Sequence, residues 1–219
     1  MDKNIIINDT NYEIPFFDLS NITSNSRILI FGKPGVGKKT LIKNIIKNNH
    51  NNDQNHGCLI VSVSNNNTQK YLNYLDNISV INTYDSNEII LSKYIIIDNP
   101  REDSNKINQI INNFNDKLYI IVRDQPTKIH NLDYIFFFQD NIYINHVKIH
   151  DNYFKNLCNL DNFSDIFINI TTGHNILVLD NNKMKLYWYN SNIQKIQAIS
   201  QDNTIQVLSD RTIIYPDYL

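Results

Sequence analysis

A chain of 219 residues with 42% hydrophobic content is long enough for one α/β domain with a substantial buried core. Its 20 basic and 22 acidic side chains leave a formal charge of −2, which excludes a globally basic protein that coats nucleic acid non-specifically. The 2 cysteines, Cys58 and Cys158, lie far apart, which argues against a disulfide framework or a zinc site and for a reducing compartment.

Met1-Asp2-Lys3-Asn4 lacks the charged-then-apolar layout of a signal peptide, and no apolar run approaches the roughly 18 residues of a membrane span. A soluble, intracellular protein is the expectation. Residues 1–26 carry Ile5-Ile6-Ile7 and Tyr12-Glu13-Ile14-Pro15-Phe16-Phe17, read as a lead-in strand or arm packed on the edge of a domain.

The next stretch carries the chemistry. Arg27-Ile28-Leu29-Ile30-Phe31 is a β-branched, apolar run, and Leu41-Ile42-Lys43-Asn44-Ile45-Ile46-Lys47 has a helical pattern. Between them stands Gly32-Lys33-Pro34-Gly35-Val36-Gly37-Lys38-Lys39-Thr40, whose Gly32, four residues, Gly37, Lys38 spacing fits the Walker A pattern of a phosphate-binding P-loop. Glycines let successive N–H groups turn inward around a phosphate, Lys38 adds a point charge toward the β- and γ-phosphates, and the helix N-terminus favours the same anion. Gly32 through Thr40 is therefore the expected ATP-binding segment. One position departs: the residue after the lysine should carry a hydroxyl for Mg²⁺, and here it is Lys39, with donors only. Thr40 comes one residue late, about 100° further round the helix.

Asn48 to His56 is a polar tract read as an exposed loop, in which His50 and His56 lack acidic or thiol partners for a metal. Cys58 to Val63 reads as a buried strand, Thr68 to Leu75 as a helix and Ile78 to Ile81 as a short strand, while Glu88 to Leu91 fits either type. Tyr94-Ile95-Ile96-Ile97-Asp98 has the form of a Walker B strand, with Asp98 as the metal-holding carboxylate. The following residue, which in many ATPases is an acid that polarises the attacking water, is Asn99; an amide orients water but cannot take its proton.

Ser104 to Phe114 is an amphipathic helix with Ile107, Ile110, Ile111 and Phe114 on one face. Leu118 to Val122 is a strand leading into Arg123-Asp124-Gln125-Pro126, where Asp124 or Gln125 either senses a γ-phosphate or makes a plain turn. Asp133 to Phe138 is a further buried strand. This alternation predicts an α/β P-loop NTPase with a mostly parallel, doubly wound sheet and a RecA-like core over 27–150. Residues 151–219 read as a small α+β extension packed on that core, with two short helices at Tyr153 to Leu157 and Phe163 to Phe167 followed by two strands.

With these pieces in order the chain resembles the poxvirus-type DNA-packaging ATPases of large nucleocytoplasmic DNA viruses, in the FtsK–HerA group of P-loop motors. The resemblance rests on Gly32 to Lys39, on Ile95 to Asp98, on the strand ending at Gln125 as the sensor glutamine, and on Thr172-Gly173-His174-Asn175 leading to Trp188-Tyr189. It implies a homo-oligomeric ring that uses ATP to drive double-stranded DNA into capsids, in the host cytoplasm or virion. Lys38, Asp98, Asn99 and Gln125 would be its catalytic residues and Asp98 its Mg²⁺ ligand. Lys39, Asn99 and the Asn115-Asp116 pair, where the family often carries Arg-His, depart from the pattern; Arg101 and Arg123 are the nearby arginines. A catalytically degenerate P-loop paralogue, binding nucleotide or none in a structural role, stands as the alternative. A small-molecule kinase would need an arginine-rich lid, which this chain lacks.

Overall fold

In the computed structural model, the residues described are 2–7, 10–49, 58–62, 78–81, 92–98, 104–113 and 116–192. The expected helix at Thr68 to Leu75, the segment Glu88 to Leu91, His50, His56, Asn99, Arg101, Phe114, Asn115 and the last segment of the chain lie outside the described residues.

A hairpin of β1 (Lys3–Ile7) and β2 (Thr10–Ile14) comes first, paired antiparallel. The main sheet is built from β3 (Arg27–Phe31), β4 (Cys58–Ser62), β5 (Ile78–Ile81), β6 (Tyr94–Asp98), β7 (Leu118–Arg123), β8 (Tyr134–Phe137), β9 (Ile176–Asp180) and β10 (Lys185–Tyr189). Its eight strands run in the order β10-β9-β8-β3-β7-β6-β4-β5. From β8 to β5 every neighbouring pair is parallel, whereas β9 and β10 return antiparallel on the β8 edge. The mostly parallel α/β sheet expected from alternating strands and helices is therefore present.

The reason lies in the strand sequences. β6, β7 and β8 are buried at every position, which is what continuous apolar runs require when helices cover both faces. Alternate side chains divide between two cores. Ile28, Ile30, Ile96 and Ile120 meet Leu41, Ile42, Ile45 and Ile46 of α1 (Lys38–Asn49) on one face. Leu29, Ile95 and Ile121 face the other way, toward Ile107 and Ile111 of α2 (Ser104–Asn113) and Phe163 and Phe167 of α4 (Leu160–Thr171).

The expected short helix around Tyr153 takes a different form. α3 (Tyr143–Ile149) continues into a π-helical turn, His150–Phe154, in which the Lys155 N–H donates to the His150 carbonyl at 2.9 Å. Two long-range bonds accompany the wider turn: His150 Nε2 meets the Cys158 carbonyl at 2.9 Å, and the Tyr153 hydroxyl donates to the Thr127 carbonyl at 2.7 Å. At the far edge, the Phe17 N–H donates to the Trp188 carbonyl and the Trp188 N–H to the Pro15 carbonyl, so the segment after the hairpin covers the open side of β10.

Candidate nucleotide site

The site is built where β3 ends. The Gly32 N–H donates to the Arg123 carbonyl at 3.1 Å and the Phe138 N–H to the Phe31 carbonyl at 2.9 Å, so the loop leaves the sheet between β7 and β8. Gly32 has no room for a side chain: an added Cβ would stand 2.7 Å from Phe138 Cβ and 2.9 Å from Val36 Cγ2. Gly35 and Gly37 have φ of +88° and +103°, a region that side chains disfavour. The Gly37 carbonyl accepts from the Leu41 N–H at 3.2 Å, and α1 begins at Lys38. The loop thus delivers its N–H groups and the helix N-terminus to one place.

Lys38 curls back over this loop. Its ammonium donates to the Gly32 carbonyl, to the Lys33 carbonyl at 3.0 Å and to Asp124 Oδ1 at 2.5 Å. Lys33 reaches the opposite way, 3.2 Å from Asp140 Oδ1. The Asp140 carboxylate is wholly buried and also accepts from the Ile142 N–H at 2.9 Å and Asn145 Nδ2 at 2.8 Å. The Asp140 backbone carbonyl accepts from His146, whose ring packs against Phe167.

Asp98 is buried at the end of β6, in register with Val122 of β7. Because β7 separates β6 from β3, Asp98 stands two strands, about 10 Å, across the sheet from the glycine loop strand. Gln125 is exposed, so it is Asp124 and not Gln125 that meets Lys38. Pro34 and Thr40 are exposed, Val36 and Lys39 half-buried. Arg123 is buried at the end of β7. Asn99 and Arg101 lie outside the described residues.

Nucleotide phosphates fit the loop: its glycines open the N–H groups and Lys38 supplies charge. A magnesium ion held between a loop hydroxyl and a strand-end carboxylate does not fit the same residues. Asp98 offers one hard oxygen donor, but Lys39 puts an ammonium where the hydroxyl belongs and Thr40 is exposed. Among the described residues no group of three or more His, Cys, Asp or Glu is placed to hold a metal.

Sequence reasoning missed Asp140 and Tyr153. Asp140 accepts from the N–H two residues on, a local habit of aspartate, but nothing local signals that Lys33 will meet it. Tyr153 accepts from the Ile129 N–H at 3.0 Å and donates to Thr127, so it anchors the connection that begins at Asp124. Burial pushes its phenol up to about 12, against an opposing bond from Ile129 and the charge of Arg123.

A glycine loop between a central parallel strand and a helix, with one strand inserted before the acid-ended strand, defines the P-loop ATPase fold. No protein-family model matches the chain, and no curated protein matches it in sequence. Among solved structures it is similar to B204, the DNA-packaging ATPase from Sulfolobus Turreted Icosahedral Virus, with a TM-score of 0.53 and 12% identity over 75% of this chain and 96% of that one. It is also similar to the genome-packaging NTPase B204 from Sulfolobus turreted icosahedral virus 2 in complex with AMPPCP, with a TM-score of 0.53 and 9% identity over 76% and 98%. The sulfate complex of that NTPase gives 0.50 and 12% over 77% and 98%. At these identities the likeness is one of fold. No helix among the described residues is long and apolar enough to cross a membrane.

Proposed function

We propose that this chain is a viral genome-packaging ATPase of the poxvirus type, within the FtsK–HerA group of P-loop motors. It binds ATP through Gly32 to Thr40 and drives double-stranded DNA into capsids as a homo-oligomeric ring, in the viral factory or virion. The observation that carries the reading is the conformation of the glycine loop, with Lys38 folded over it at the end of the central strand. The likeness to B204, spread over nearly all of that chain, supports the same reading. Lys38 is the phosphate ligand, Asp98 the single carboxylate offered to a metal, and Asn99 and Gln125 the amides that orient water and γ-phosphate. The core spans 27–150, preceded by the arm at 1–26 and followed by the extension at 151–219.

Lys39 favours a second reading, a P-loop paralogue that binds nucleotide without turnover and serves a structural role in a mixed ring or virion. Its ammonium supplies positive charge where the metal would sit, without octahedral geometry. ATP turnover by the purified protein with and without Mg²⁺ and duplex DNA, beside Lys38→Ala and Lys39→Thr, separates the two. The motor reading expects DNA-stimulated turnover that Lys38→Ala abolishes. Silence of the wild type together with Mg²⁺-dependent activity in Lys39→Thr would favour the second.

A further inference from the structure

Resting on the ATPase reading above, we propose that Tyr153 is a positioning residue for ATP turnover, fixing the β7–β8 connection that carries Asp124 and Gln125 beside the glycine loop. The helix after β8 is locally irregular. His150–Phe154 extends α3 as a π-helical turn, closed by the Lys155 N–H on the His150 carbonyl at 2.9 Å. Wide turns of this kind are rare and are frequent at functional sites. This one presents a phenol. The Tyr153 hydroxyl donates to the Thr127 carbonyl at 2.7 Å and accepts from the Ile129 N–H at 3.0 Å, so one oxygen ties down two backbone groups of a connection that has left the sheet.

From there a chain of contacts leads to the glycine loop. The Thr127 hydroxyl donates to the Gln125 carbonyl at 3.3 Å, and Oδ1 of the preceding Asp124 stands 2.5 Å from the Lys38 ammonium. The anchor itself is held firmly. Its ring packs edge-on to Phe137 of β8 with centroids 6.0 Å apart, and Leu29, Phe31 and Ile149 close the crevice beneath Gln125 and Thr127, leaving no room for a water. No solvent molecule in that crevice can take over the two bonds of the hydroxyl. The glycine loop takes its shape from its own positive φ angles and from its bonds to the strand ends. Loss of the hydroxyl therefore acts on the residues that meet the γ-phosphate rather than on those that grip the nucleotide. A displacement of about 1 Å in such an orienting group costs up to about a hundredfold in rate.

The test measures kcat for ATP and affinity for a fluorescent N-methylanthraniloyl ATP on the full chain, each variant held well below its own thermal midpoint. Tyr134→Phe is the matched control, because that hydroxyl also donates to a backbone carbonyl, of Asn21 at 3.0 Å, but at the start of β8, the opposite end from the loop. Tyr153→Phe is expected to lower kcat about tenfold with probe affinity within about threefold of wild type, and Tyr134→Phe to keep kcat within about twofold. Thr127→Val, which removes the next link and leaves the core alone, is expected to lower kcat by about threefold. A Tyr153→Phe rate within about twofold of wild type, or an equal loss in Tyr134→Phe, would overturn the assignment while leaving the ATPase reading intact. A loss of probe affinity as large as the loss of rate would also overturn it, since the hydroxyl would then shape the grip on the nucleotide. Should Tyr153→Phe not fold, a wild-type rate in Thr127→Val would do the same. A wild type that binds the probe without hydrolysing ATP would defeat the ATPase reading and this role with it.

Discussion

Lys33, the second residue of the glycine loop, is tied at 3.2 Å to Asp140, whose carboxylate is wholly buried beneath the start of α3. The pair links the glycine loop to the segment that follows β8, far away in sequence. A ligand that draws Lys33 toward phosphate must leave a buried carboxylate with Ile142 and Asn145 alone. Asp140→Ala removes a buried acceptor shared by Lys33, the Ile142 N–H and Asn145, and should cost about 1–3 kcal/mol, since bonds to a charged acceptor are the stronger kind while the donors themselves remain within reach of water. Urea denaturation measures it; a change within experimental scatter would show that the hub is not structural.

Gly32→Ala should disable the loop. Its Cβ would stand 2.7 Å from the Cβ of Phe138, a contact that no rotamer change relieves. Overpacking of this kind costs about 1–3 kcal/mol. Adding Phe138→Ala should fail to rescue ATP binding, because alanine keeps the clashing atom. Restored binding in the double variant would show that the ring, and not the backbone approach, sets the constraint.

Gly37→Ala tests conformation without crowding. The nearest atom to an added Cβ is Phe138 Cε1 at 3.7 Å, so space is available, but φ is +103°. The penalty, about 1–3 kcal/mol of backbone strain, falls on the residue just before α1. ATP affinity should drop while the thermal midpoint moves modestly; unchanged affinity would mean that the loop tolerates a different backbone path.

Alkaline pH should destabilise the fold through buried phenols. Burial raises Tyr153 and Tyr189 to about 12, with Asn44 donating to the Tyr189 oxygen at 3.2 Å and pulling it partly back. In the unfolded chain a tyrosine ionises near about 10. The folded state therefore holds these protons more tightly, and the stability they confer is whole below that value and is lost as pH rises toward 12. The denaturation midpoint should fall across this window, and Tyr153→Phe with Tyr189→Phe should flatten the fall. An identical slope in the double variant would assign the alkaline loss to other groups.

The 1 tryptophan offers a reporter for the N-terminal arm. Trp188 is 5% exposed, with Phe16 packed edge-on at a ring distance of 5.1 Å and the Lys3 ammonium 4.6 Å from its ring. Its emission should be blue-shifted, and Phe16→Ala should move it to the red by admitting water. Unchanged emission in that variant would show that Phe16 does not shield the indole.

The sequence by itself determined what depends on spacing along the chain. Continuous apolar runs marked β3, β6, β7 and β8 as strands buried on both faces, and the glycine loop between β3 and α1 was legible because strand, turn and helix are contiguous. Asp98 could be placed at a strand end for the same reason. Only the tertiary structure decided which ends meet. Lys38 and Asp124 are 86 residues apart, and they touch because β7 pairs with β3 on one side and β6 on the other. Choosing between Asp124 and Gln125 required knowing the side from which β7 leaves the sheet, since adjacent residues there project differently. Lys33 and Asp140 come together because β8 flanks β3 on its other side. Strand order is set by pairing and burial summed over the whole sheet, and no local pattern of residues carries that sum.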